Sequence, residues 1–84
     1  MRDATLPHDL TDLVRHLVGG LVKHPEALEV RAIDGDPVLY EIRVDPDDQG
    51  RIIGREGRTI RALRLVVGAA ARKAGGSATV EVAE

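Results

Sequence analysis

The chain has 84 residues, a formal net charge of −2, no cysteine and a single aromatic residue, Tyr40. A chain this short holds one hydrophobic core and buries about 60–65% of its unfolded surface, so residues 1–84 read as one domain of modest stability. Disulfides and thiolate zinc sites are excluded, Met1–Pro7 lacks the apolar run of a secretory leader, and no stretch is long and apolar enough to span a bilayer; a cytoplasmic location without membrane contact is expected.

From residue 9 to 23, Leu10, Leu13, Val14, Leu17, Val18, Leu21 and Val22 recur at helical spacing and form a continuous apolar stripe. Asp9 or a residue just before it can cap this helix, and Asp12 suits the positive end of its dipole. Gly19 and Gly20 each cost a helix about 1 kcal/mol relative to alanine, and mark either close packing or simple tolerance. His24-Pro25 is expected to end the helix, because the residue before proline is driven out of the α region.

Leu28 to Ala32 alternates as a strand, and Asp34-Gly35-Asp36-Pro37 has turn chemistry. Val38 to Val44 alternates again, with Val38, Tyr40, Ile42 and Val44 on one face. A hairpin over about 28–44 with one buried face follows. Asp45-Pro46-Asp47-Asp48 is a helix start: a capping Asp, proline at the first position and acids in the first turn. That helix has about two turns before Gly54.

A further helix is expected from near Arg58 to Ala74. Ile60, Leu63, Val67, Ala70, Ala71 and Ala74 share one face, with Arg58, Arg61, Leu65, Gly68 and Arg72 opposite. Gly75-Gly76 ends it, and the last strand spans about 78–83. The order is α-β-β-α-α-β. The fold class is α+β, a three-stranded sheet covered on one face by helices.

Catalytic constellations fail quickly. His8, His16 and His24 are eight apart, an advance of about 80° per step on a helix, so they spread around it and make no metal site. Ser77, the only serine, has no histidine near it in sequence. Asp47 and Asp48 read as helix-start charges rather than an acid–base pair. Gly50, Gly54 and Gly57 match neither the Walker loop nor the dinucleotide fingerprint. No enzyme, cofactor or metal is expected.

What remains is Gly54-Arg55-Glu56-Gly57, a Gly-x-x-Gly between two helices. Residues 51–73 hold seven arginines and lysines against one acid, Glu56, a charge of +6, while the remainder carries −8. Such a concentrated basic segment in an acidic chain points to a local anion site. A tight helix–helix turn is the plainer reading of the glycines, but arginines on both sides favour a clamp for an anionic backbone.

With these elements in place the chain resembles the KH domain in its bacterial type II order. It is similar over nearly its whole length to the KhpA family of small single-domain KH proteins. The resemblance rests on the length, the opening amphipathic helix ending near a proline, and a stretch of the form G-x-x-I-G-x-x-G-R-T-x-x-A-L-R, here Gly50 through Arg64.

The resemblance implies a middle strand, about 38–44, paired with both the first and the last, and a groove holding about four nucleotides of single-stranded RNA with the backbone clamped by the loop. By position, Gly54, Arg55, Glu56 and Gly57 form that loop. Ile52 and Ile53 are candidates for the groove floor, and Arg51, Arg58 and Arg61 for phosphate contacts; Ile52 reads equally as core. The family is further understood to self-associate, to pair with a second KH protein, KhpB, and to act as RNA chaperone or post-transcriptional regulator. In some bacteria it is tied to cell-shape and cell-wall biogenesis.

Composition agrees independently, because RNA surfaces that stack bases need several aromatics and this chain has one. Leu65, with Gly68, Ala69 and Arg72 on the face that should be exposed, is either a lone surface leucine or, beside a glycine that permits close approach, the mark of a homodimer or partner contact. Arg64 lies at the edge of that face and favours neither reading. Glu56 departs from the expected chemistry by placing a negative charge where phosphate approaches, so affinity is expected to be modest and largely electrostatic. The rival reading is a protein-interaction module with vestigial RNA contact.

Overall fold

A strand that alternates cleanly and is followed by a long crossover is built to be central, and the computed structural model, which describes residues 9–83, places 38–43 in that position. The expectation for Met1–Pro7 lies outside the described residues. Strands β1 (Glu29–Ile33), β2 (Val38–Arg43) and β3 (Ala78–Val82) form one sheet in the order β1-β2-β3. β1 and β2 pair antiparallel from Glu29↔Arg43 to Ile33↔Leu39, and β2 and β3 pair parallel from Val38↔Ala78 to Ile42↔Val82. Parallel neighbours need a long connection; here it contains α2 (Gln49–Ile53) and α3 (Arg58–Lys73). With α1 (Thr11–Gly19) the expected α-β-β-α-α-β order is complete.

The two faces of the sheet part as the alternation requires. Tyr40, Ile42 and Val80 are fully buried and join Val14 and Val18 of α1, Ile52 of α2, and Ile60, Leu63 and Val67 of α3 in a single core. Each such side chain contributes about 1.5–3 kcal/mol by leaving water. The opposite face carries Glu29, Arg31, Arg43 and Glu81 to solvent, with an Arg31–Glu41 ion pair at 3.5 Å. Tyr40 also reaches across the layers, its hydroxyl accepting the Leu10 N–H at 2.7 Å. Burial holds the Tyr40 hydroxyl above the usual tyrosine range, opposed by that N–H and aided by the charge of Asp9.

α1 is shorter than its stripe suggests. It ends at Gly19, not at His24-Pro25. The N-cap is Leu10, which supplies no side-chain cap; Asp9, the expected cap, lies one residue earlier and accepts the Thr11 N–H at 3.1 Å. At the other end Gly20 caps the helix, and Leu21 closes a turn onto Val18 O at 2.9 Å. Neither glycine is needed for space: a Cβ on Gly19 would touch Leu28 at an ordinary 3.9 Å, and one on Gly20 would meet only carbonyls of its own helix. The pair therefore marks the stop. Two successive low-propensity residues weaken the helix at this point, and Leu21 beyond them is 39% exposed.

The helix start at Asp45-Pro46 is a 3-10 turn, Pro46–Asp48, that runs on into α2. Asp45 accepts the Asp47 N–H at 2.9 Å, the capping role expected of it. Asp48 is not a surface charge. It is fully buried, and its two carboxylate oxygens accept the N–H groups of Lys23 and His24, each at 3.0 Å. Burial by itself would raise its pKa, but the Lys23 and His24 N–H groups outweigh that, helped by His24 and Arg51, and hold the carboxyl below the usual range. Asp48 thus ties the connection after α1 to the start of α2. α3 closes with Gly75 at φ 93°, Gly76 N–H on Ala71 O at 2.9 Å and Gly75 N–H on Arg72 O at 3.0 Å, a Schellman ending.

Candidate nucleic-acid interface

The junction between α2 and α3 is built from backbone that only certain residues adopt. Gly54 sits at φ 77°, ψ 170°, a region essentially reserved for glycine. A Cβ there would collide with Thr59 Oγ1 and lie 2.8 Å from the Thr59 backbone N, so both conformation and space demand glycine. Glu56 (φ 57°, ψ 25°) and Gly57 (φ 75°, ψ 16°) are then left-handed in succession, and Gly57 N–H closes the turn onto Gly54 O at 3.1 Å. The chain leaves this turn directly into α3, whose first N–H groups have no partner within the helix and whose dipole is positive at this end.

Around that turn the structure gathers part of the expected set. Arg55, Arg58 and Arg61 are exposed, and the Arg61 guanidinium folds toward Gly57, 3.7 Å from where a Cβ would stand. Glu56 is exposed to solvent, and its Oε1 also pairs with Arg58 Nη2 at 3.5 Å. Arg51 is exposed as well, but its Nε lies 3.8 Å from Asp48 Oδ1, so part of its charge answers a buried carboxylate. The two isoleucines separate. Ile52 has no exposure and belongs to the core, whereas Ile53 is 43% exposed beside Gly54. One helical step of about 100° is enough to divide them.

Farther along α3 the expected contact face needs correcting at one position. Gly68 is buried rather than exposed. A Cβ there would stand 3.6 Å from Ala78 O and 3.5 Å from Arg72 Nη1, so it faces the start of β3 with the Arg72 guanidinium over it. Leu65 is 73% exposed, Ala69 and Arg72 are exposed, and Val66, which the helical face assignment omitted, is 48% exposed. Arg64, to which the sequence assigns no role, donates Nε–H to Val80 O at 3.0 Å and links α3 to the outer strand β3. No spacing signal announces that contact, because it depends on where α3 lies across the sheet. The carboxylate staple of Asp48 was missed for the same reason.

Comparison with known proteins bears on what this arrangement does. The family model described as "KhpA/KhpB, KH domain" matches residues 11–82. The curated "RNA-binding protein KhpA" of Streptomyces coelicolor is 52% identical over 62 residues, covering 71% of this chain and 77% of that protein. Its namesakes in Caldanaerobacter subterraneus (39% over 72 residues; 84% of this chain, 96% of the relative) and Aquifex aeolicus (38% over 76; 89% and 96%) match more of their length. No solved structure matched.

Proposed function

The chain belongs to the KhpA/KhpB family of KH domains, and from that premise we propose that it is a single KH domain that binds single-stranded RNA through the Gly54–Gly57 loop. The observation that carries this reading is the loop itself. A turn in which Gly54 can be nothing else delivers the positive end of a 16-residue helix among three exposed arginines, with an exposed isoleucine alongside. Arg55, Arg58 and Arg61 contact phosphate, the loop lets the backbone approach closely, and Ile53 rather than Ile52 supplies the apolar contact to a base. Arg51 contributes less because Asp48 already engages it. The role is non-enzymatic and cytoplasmic, as an RNA chaperone or post-transcriptional regulator acting with a KhpB-type partner.

Titration of the protein with a fluorescent single-stranded RNA tests this. Three phosphate contacts give a slope of about −2 in log K against log salt, since each contributes about −0.7 on a single strand. Replacing Arg55 and Glu56 together by aspartate, both exposed, should abolish binding without lowering the melting temperature appreciably. Unaltered binding by that double variant would sink the assignment of the site.

A second reading rests on the apolar strip of α3. Leu65 at 73% exposure beside Val66 and Ala69 is an unpartnered surface for a second copy or a KhpB-type protein. A strictly monomeric wild type at high concentration, with no change on Leu65→Asp, would remove the homodimer. If the protein binds no RNA at low salt while a protein partner still associates, the interaction module replaces the RNA-binding reading.

A further inference from the structure

Eight-residue spacing set the histidines apart on a helix, yet His24 lies beyond α1, in the connection that Asp48 ties to the start of α2. There the imidazole stands between carboxylates on both of its nitrogens. Nε2 is 3.7 Å from Asp47 Oδ2, and Nδ1 is 3.7 Å from Glu26 Oε2. One donor atom from each of His24, Asp45 and Asp47 falls within 4.8 Å of the others.

We propose that His24, Asp45 and Asp47 bind a divalent transition cation of the zinc class, with Glu26 orienting the imidazole from its second nitrogen. The donor set selects the ion. An imidazole with two carboxylates suits zinc, cobalt or nickel, whereas magnesium and calcium prefer oxygen alone. Three protein ligands leave a fourth, tetrahedral position for water. A carboxylate on the far nitrogen of a ligating histidine fixes its tautomer and raises its basicity, and Glu26 is placed for that role.

The scaffold is held before any ion arrives. Buried Asp48 takes the N–H groups of Lys23 and His24, so the backbone that carries the imidazole is fixed against the turn that carries Asp45 and Asp47. Asp45 uses Oδ1 to accept the Asp47 N–H, and its carboxylate has a second oxygen for the cation. Tetrahedral bonds of zinc length put donors about 3.3 Å apart, so the group must contract slightly. Asp47, with its side chain 81% exposed, can shorten its own distances to the other two donors by changing rotamer. A bound ion would be a second staple beside Asp48, joining the end of the α1 connection to the helix that leads into Gly54.

Titrating the full-length protein with Zn2+ by calorimetry, and with Co2+ by visible absorption, tests the site without reference to RNA. The expected result is one ion per chain, with backbone NMR shifts confined to residues 22–26 and 45–49. His24→Gln and Asp47→Asn should each abolish saturable binding, Glu26→Gln should weaken it about tenfold, and His8→Gln should leave it unchanged. Asp47→Asn preserves the fold, because the Asp47 N–H, not its carboxylate, makes the turn. Absence of saturable binding up to millimolar metal, or equal affinity in Asp47→Asn and wild type, overturns the site.

Discussion

α3 is entered through Gly54 and Gly57 and left through Gly75 and Gly76, and these two glycine turns have opposite surroundings. At the N-terminal end a Cβ on Gly54 would run into Thr59, the intervening Glu56 is itself left-handed, and three arginines stand exposed. At the C-terminal end Gly75 is left-handed too, but a Cβ there would meet nothing within 4 Å. The first turn is constrained by conformation, by space and by charge together. The second needs only the dihedral that ends a helix. A glycine pair is therefore no sign of a site by itself; what the backbone is pressed against, and which charges it carries forward, separates the proposed ligand turn from a helix stop.

The contrast can be tested from its strongest side. Gly54→Ala combines a glycine-only dihedral with a collision on the Thr59 backbone and should cost about 3 kcal/mol. Chemical denaturation should show that loss, and RNA binding should fall with it. If the variant is as stable as wild type, the loop geometry described here is wrong.

Asp48→Asn probes the staple that fixes the same end of the molecule. Its carboxyl pKa is lowered in the folded state, so its stabilisation is present above the unfolded carboxylate value and is lost as pH falls through the folded one. Asp48→Asn should be less stable than wild type at pH 7, and the two melting temperatures should converge below about pH 4. A gap that persists unchanged into acid would mean that packing, not charge, holds the staple.

Gly75→Ala forces a left-handed dihedral on alanine with no accompanying clash. It should cost about 1 kcal/mol, most of it recovered by asparagine, and leave RNA affinity untouched. The smallest stability effect belongs to Glu56→Gly. Relief of its left-handed backbone is offset by the greater freedom glycine gives the unfolded chain, so stability should move by less than about 0.5 kcal/mol. RNA affinity should nevertheless rise, because Arg58 loses its carboxylate partner. Unchanged affinity would show that the Glu56–Arg58 pair does not compete with phosphate.

Much of the fold was open to a reader of the chain because it rests on local periodicity. The alternation of Val38, Tyr40, Ile42 and Val44, and the apolar face of α3, are consequences of two- and 3.6-residue repeats. Position Gly54 was legible for a related reason, since arginine clustering and helix boundaries are local properties. The stop of α1 differs from the expected one because Gly19 and Gly20 end the helix before Pro25 is reached. Gly68 was misassigned because it lies at the border of its face, where a helical wheel cannot say which neighbour a residue meets.

By itself the sequence determined the element order, the single core and the loop on which the proposed function rests, since each follows from spacing within a few residues. Tertiary structure alone decided which isoleucine is buried, that Asp48 is an interior staple, that Arg64 reaches β3, and that His24 meets Asp47 and Asp45. All of these join positions from 16 to 25 residues apart, or turn on a packing angle. Such contacts depend on how elements lie across one another, and periodicity within an element carries no information about that.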